Sequence, residues 1–123
     1  MPNFAATDPL RILLVGEDES LRDVLTETLR GRMGDFRLYW VAQPELAATR
    51  VVDLVPHVIL IDDALGGANP AQVVKQLTVA APTSPIVVLV AESSIGTARQ
   101  AIVAGARSFA TKPLNQAEFV ANL

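Results

Sequence analysis

The feature that most constrains this chain is a series of short apolar runs that stop abruptly at glycine or acid, each followed by a segment with helical spacing. Arg11-Ile12-Leu13-Leu14-Val15-Gly16 is apolar without interruption up to its glycine. Such a run reads as a strand buried on both faces, as in a parallel sheet covered by helices. Val58-Ile59-Leu60-Ile61 is wholly apolar and ends at Asp62-Asp63 and the flexible Gly66-Gly67, and Pro85-Ile86-Val87-Val88-Leu89-Val90 repeats the pattern. Phe36 to Val41 and Arg107-Ser108-Phe109-Ala110 supply the second and fifth strands in chain order.

The intervening segments carry helix signals. Ser20 is a predicted cap for a helix with Leu21, Val24, Leu25 and Leu29 on one stripe, closed by Gly31 and Gly34. Pro44 beside Glu45 starts a second helix with Leu46, Val51 and Leu54 inward, which Pro56 closes. Asn69-Pro70 pairs an Asx cap with proline in the first turn, ahead of Val73, Val74 and Leu77 and before Pro82. Ser93 or Ser94 caps a fourth helix through Ile95, Ala98, Ala101 and Ile102 to Gly105, and Asn115 with Glu118 forms a capping box, stapled by Leu114 and Phe119.

Five strand-helix units joined by a few residues require parallel pairing through right-handed crossovers. The predicted class is therefore α/β, a doubly wound five-stranded parallel sheet of order 2-1-3-4-5, flavodoxin-like. The 123 residues suit one compact domain. Residues 1–10 read as a disordered or extended lead-in and 11–123 as the domain, which stops inside its fifth helix as though cut from a longer protein.

Composition narrows the function. A net charge of -3 and only two lysines speak against direct nucleic-acid binding. The absence of cysteine removes disulfides, thiolate metal sites and a Cys nucleophile, and suits a reducing, cytoplasmic setting. No run approaches the roughly 20 apolar residues of a membrane span, so no membrane insertion is expected. His57 is the only histidine and reads as a strand-entry surface residue. Trp40 and Tyr39 alternate across their strand, one packing inward. The glycines match neither a phosphate loop nor a dinucleotide fingerprint.

In open sheets of this kind the active crevice lies beyond the carboxyl ends of the strands. Glu17 follows the first strand, Asp62 the third, and Lys112 the fifth, while Val90 ends the fourth. Glu17 and Asp62, on adjacent strands, are donors for a hard cation such as Mg²⁺, with the Ala64 backbone carbonyl and waters completing an octahedron. Lys112 opposite them can counter a phosphoryl oxygen as a mobile point charge. Together they describe a phosphoaspartate site. The plainer alternatives are an acidic helix start at Glu17, Asp18 and Glu19 and a purely structural ion pair between Asp62 and Lys112.

Four ordered blocks, Ile12 to Arg22, Pro56 to Asp62, Pro85 to Ala91 and Ala104 to Leu114, resemble the receiver domain of two-component response regulators. The resemblance implies that Asp62 accepts a phosphoryl group from a histidine kinase or phosphotransfer protein and that Lys112 contacts it. It also implies that Glu17, Asp62 and the Ala64 carbonyl hold Mg²⁺. The enzymatic activity implied is at most Mg²⁺-dependent self-phosphorylation from a phosphodonor and self-dephosphorylation. The departures mark an atypical, degenerate receiver. Gly16 stands at the first acidic position, and Glu17 is a methylene longer than the usual aspartate. Val90 lacks the hydroxyl of the usual Ser or Thr, Phe109 holds the switch aromatic position where an inward ring would be a permanent core contact, and Leu65-Gly66-Gly67 replaces the usual Met-Pro turn, with a more mobile loop expected.

A narrower resemblance, carried by Ala104 to Leu114, Gly16 and Val90, is to the receiver-like domains that precede the ATPase domain in pilus-assembly and localisation proteins. It implies a phosphorylation-independent interaction module regulating an attached output or ATPase domain, with Ala98, Ala101, Ile102 and Arg107 as interface candidates and a homodimer as one partner. A third reading is a small-molecule-binding flavodoxin-like domain, indifferent to substitution of Asp62.

Overall fold

The computed structural model describes residues 9–30 and 34–114. The elements run β1 (Leu10–Val15), α1 (Glu19–Arg30), β2 (Phe36–Val41), α2 (Pro44–Leu54), β3 (Val58–Asp62), α3 (Pro70–Ala80), β4 (Ile86–Ala91), a short 3-10 turn (Glu92–Ser94), α4 (Ile95–Ala104) and β5 (Ser108–Lys112). All strand pairs are parallel, in the order β2-β1-β3-β4-β5, as the short connections require.

The unbroken apolar runs are explained by helices on both faces of the sheet. Alternate residues of the central strands point opposite ways. Leu13, Val15, Ile59, Ile61, Val88 and Val90 pack with Val51 of α2, Val73, Val74 and Leu77 of α3, and Ala98 and Ala101 of α4. Ile12, Leu14, Leu60, Val87 and Leu89 pack with Leu21, Leu25 and Leu29 of α1. The sheet thus presents one face to α1 and the other to α2, α3 and α4.

Several local expectations change in detail. Asp18, not Ser20, caps α1: its Oδ1 accepts the backbone N–H groups of Ser20 at 2.9 Å and Leu21 at 3.3 Å, while the Ser20 hydroxyl donates to the same oxygen at 2.6 Å. An ionised carboxylate two residues earlier is the better acceptor for the helix's orphan donors. Val24 is accordingly half-exposed and Thr28 takes a buried place on the stripe, its hydroxyl satisfied by the Val24 carbonyl at 2.8 Å. On α2 the inward residues are Ala47 and Val51, whereas Leu46 faces out, and Val55 closes the helix at φ 45° with its N–H on the Val51 carbonyl. Asn69 caps α3 as expected, accepting from the Ala71 N–H at 2.9 Å. Ser93 lies in the 3-10 turn, and Ser94, at the cap of α4, makes no side-chain cap bond. His57 exchanges two bonds with Arg11, its N–H donating to the carbonyl at 2.8 Å and its Nδ1 accepting the backbone N–H at 2.9 Å, so it clamps the strand entry. The lead-in over residues 1–8, the Gly31 stop and the capping box of Asn115, Glu118 and Phe119 lie outside the described residues.

Candidate functional site

The parallel sheet brings the carboxyl ends of β1, β3, β4 and β5 to one edge, where the predicted residues meet. Asp62 closes β3 and is fully buried. Lys112 closes β5, one strand beyond β4, and its ammonium reaches back to donate to Asp62 Oδ1 at 2.5 Å and to Asp63 Oδ1 at 2.8 Å. Asp63 also bonds to both sides of β4's end: its N–H donates to the Leu89 carbonyl at 2.9 Å and its Oδ2 accepts the Ala91 N–H at 3.0 Å. Asp62 Oδ2 is buried and has no hydrogen-bond partner among the described residues.

The electrostatics follow from this unequal sharing. Burial pushes the Asp62 carboxyl above its ordinary value, more than the Lys112 hydrogen bond and charge pull it down. Asp63 also feels burial, but the Lys112 hydrogen bond and the Ala91 N–H bring its carboxyl below the ordinary value. Burial works against the Lys112 ammonium, yet the two carboxylates outweigh it and raise its pKa.

The other predicted crevice residues take definite places around this edge. Gly16 is buried, and a Cβ there would stand 2.7 Å from Asp62 Cβ. At Gly16, β1 thus runs close against Asp62. Trp40 of β2 fixes this approach by donating its indole N–H to the Gly16 carbonyl at 2.7 Å, while the Arg22 guanidinium lies 4.7 Å over its ring. Glu17 is exposed and its carboxylate lies across Gly66, whose φ is +61°; a Cβ on Gly66 would fall 2.9 Å from Glu17 Cδ. Glycine there serves both the left-handed backbone and the longer acid.

Val90 is fully buried. Phe109, on the edge strand in register with Val88, is 43% exposed rather than turned inward. Among the interface candidates, Ala98 and Ala101 are buried against the sheet, whereas Ile102 and Arg107 are exposed. Two site residues escaped the sequence reading. Asp63 was visible only as the second half of an acidic pair, and Trp40 only as a strand aromatic; the carbonyl that Trp40 meets is 24 residues away in the chain.

An unpartnered buried carboxylate oxygen is the donor a hard cation accepts, so Asp62 Oδ2 fits a magnesium ligand. Among the described residues, however, no group of three or more His, Cys, Asp and Glu side chains is arranged to hold a metal ion. A magnesium centre here would draw the rest of its ligands from backbone carbonyls and water.

The strand order thus sets an acid at the end of the central strand against a lysine from the fifth. The response regulator receiver domain profile matches residues 12–123, and the chain belongs to that family, whose members work in phosphorelay signalling. The DNA-binding response regulator MtrA of Mycolicibacterium smegmatis is 34% identical over 113 residues, 92% of this chain and 48% of MtrA. The chain thus spans about half the length of the curated relatives it matches. A Chloroflexus aurantiacus protein assigned as a response regulator superposes with TM-score 0.83 at 25% identity, covering 94% of both chains. A Burkholderia pseudomallei response regulator, solved with a phosphorylated aspartic acid and a calcium ion, gives TM-score 0.79 at 24% identity over 91% of this chain and 65% of that one. No helix among the described residues is long and apolar enough to cross a membrane.

Proposed function

We propose that Asp62 is the phosphoacceptor of this receiver and that the crevice around it is a weakened version of the family's site. The observation that carries the reading is the division of labour at Asp62: Lys112 holds Oδ1, and Oδ2 is buried without a partner. In the reaction an Asp62 carboxylate oxygen forms a bond to phosphorus as the phosphorus–nitrogen bond of a donor phosphohistidine breaks. The electron pair of that bond returns to the imidazole nitrogen, which takes up a proton. Lys112, already at the carboxylate, offsets charge on the transferring group. Hydrolysis by water regenerates the carboxylate and releases inorganic phosphate. Asp62, Glu17 and the Ala64 carbonyl would hold Mg²⁺, which when bound neutralises charge on the phosphoryl oxygens. The phosphodonor is a histidine kinase or phosphotransfer protein, and the setting is cytoplasmic.

Intact-protein mass after incubation with a small phosphoramidate tests this. An Mg²⁺-dependent adduct in the parent that disappears in Asp62→Asn is expected. No adduct under conditions that label an ordinary receiver overturns it.

A second reading, a contact module acting on an attached output or ATPase domain or on a second copy of the chain, is favoured by one observation. Ile95 and Ile102 of α4 and Phe109 of β5 are each 40% exposed or more, and Val90 has no hydroxyl with which to report a phosphoryl group to β4. Concentration-dependent self-association in the absence of any adduct, lost in Ile102→Glu, would favour it. A monomer at all concentrations would remove the homodimer.

A further inference from the structure

We propose that Asp63 is a built-in anion that occupies the crevice's phosphoryl-binding donors, so that phosphoryl acceptance requires its displacement. The proposal rests on the reading of Asp62 as the phosphoacceptor. The crevice offers an ammonium, Lys112 Nζ, and a backbone N–H at the end of β4, that of Ala91. An acyl phosphate on Asp62 would present its oxygens to both. The carboxylate of Asp63 already engages the two, with Oδ1 on Lys112 at 2.8 Å and Oδ2 on Ala91 at 3.0 Å. A single planar anion thus bridges the ends of β4 and β5, which pair with Ala91 opposite Lys112.

The backbone makes this placement hard to avoid. The Asp63 N–H is tied to the Leu89 carbonyl at 2.9 Å, continuing the β3–β4 ladder one residue past the strand, so the side chain leaves the backbone beside β4's end. Asp62 is different: its Oδ2 finds no donor although it is buried. Lys112 is therefore shared between Asp62 Oδ1 and Asp63, and the Ala91 N–H is taken by Asp63, while Asp62 Oδ2 has no donor among the described residues. A phosphoryl group entering this space meets Asp62 and Asp63 as like charges, and it gains Lys112 and Ala91 only when the Asp63 carboxylate swings out.

Two consequences separate this from an ordinary structural ion pair. Removing the Asp63 carboxylate should accelerate labelling of Asp62, although it deletes two hydrogen bonds. It should also create oxyanion affinity that does not depend on phosphorylation. The test uses the full chain in two arms. In the first, the phosphoramidate labelling rate is compared between the parent, Asp63→Ala and Asp63→Asn, with the Asp63→Asn amide oxygen able to keep the Ala91 bond without the charge. In the second, inorganic phosphate is titrated against Asp62→Asn and Asp62→Asn/Asp63→Ala while the Ala91 amide resonance is followed.

A labelling rate at least tenfold faster in Asp63→Ala, with Asp63→Asn intermediate, is expected, together with phosphate affinity at least tenfold tighter in the double variant. Tenfold corresponds to about 1.4 kcal/mol of competition removed. If no protein is labelled but the double variant gains phosphate affinity, Asp63 is still the occupying anion and the phosphoacceptor reading fails. If the double variant, shown folded by its amide spectrum, binds phosphate no better than Asp62→Asn, the proposal is overturned whatever the labelling rates.

Discussion

Restoring a side chain at position 16 puts two opposing effects in competition, and their sizes predict the outcome. Gly16→Ala removes conformational freedom from the unfolded chain, which by itself stabilises by about 0.4–1 kcal/mol where the backbone is ordinary. The new methyl, however, would stand 2.7 Å from Asp62 Cβ and 3.6 Å from its carboxyl carbon. Neither side can yield easily. Asp62 is fully buried and its carboxylate is held by Lys112, while Gly16 is pinned through its N–H to the Val41 carbonyl at 3.0 Å and through its carbonyl to Trp40. Overpacking of this kind costs about 1–3 kcal/mol, so the net loss is about 1–2 kcal/mol, or roughly 4–8 °C in Tm for a domain near this size. Thermal unfolding followed by circular dichroism measures it. A Gly16→Ala protein as stable as the parent, or more stable, would refute the argument that the missing acid's space is filled. Gly16→Asp should fare worse, because it adds a second carboxylate to the same contact, and it should not tighten Mg²⁺ binding.

Three further perturbations probe the same edge of the sheet. Lys112→Met strips Asp62 of its one partner and should cost about 3 kcal/mol, the low end for a broken buried pair because Lys112 is itself 24% exposed. Its pH dependence has a definite sign. Lys112, with its pKa raised, contributes stability that is complete below its ordinary value of 10.5 and is lost as pH rises through the folded value. Asp63, with its pKa lowered, contributes stability present above 3.8 and lost as pH falls through the folded value. Asp62, raised, gains a proton first in the folded state and relieves the variant on acidification. The gap between parent and variant in urea midpoint should therefore be widest between those two ordinary values and narrow toward acid; a gap that widens as pH falls contradicts the triad. Trp40→Phe leaves the Gly16 carbonyl without its indole donor and should cost about 1 kcal/mol, measured in urea; no loss would mean that the bond does not fix the end of β1. Gly66→Ala meets both a φ of +61° and the Glu17 carboxylate, so it should destabilise by about 1 kcal/mol from the backbone alone. The combination with Glu17→Ala should recover the remainder, and strictly additive effects would deny the contact.

The strand order and the positions of Asp62 and Lys112 were legible because they rest on strong local signals. Continuous apolar runs ending at polar residues name buried parallel strands, and the crevice rule then places the residues that follow them. The helix stripes were legible only to within a residue. Asp18 and Ser20 both suit a cap, and choosing between them needs the helix phase; that phase also decides why Thr28 is buried and Val24 is not. For Phe109 the sequence left the inward and outward positions open, and the ring is 43% exposed because the edge strand leaves one side uncovered. Asp63 could not be read as a site residue, because its role comes from the Ala91 N–H and Lys112, brought together by pairing across β4 and β5.

The departures from the usual receiver pattern form contacting pairs, which bears on whether the site has decayed or been rebuilt. Random loss would leave gaps: an empty place at position 16 and a loose turn at position 66. Instead the place beside Gly16 is filled by Asp62, and the room given by Gly66 is taken by the longer Glu17. The Ala91 N–H and, together with Asp62, the Lys112 ammonium are engaged by Asp63. Gly16 and the Glu17–Gly66 pair are thus matched by contacts that, with Asp63 on Lys112 and Ala91, keep the crevice packed and its charges paired. Within the crevice, Asp62 Oδ2 is left without a partner among the described residues, and a buried, unpartnered carboxylate oxygen is costly to keep. In a crevice otherwise closed around its own residues, that cost is the structural argument for retained chemistry at Asp62, because a purely structural acid at this position would be better served by an amide or by a second donor.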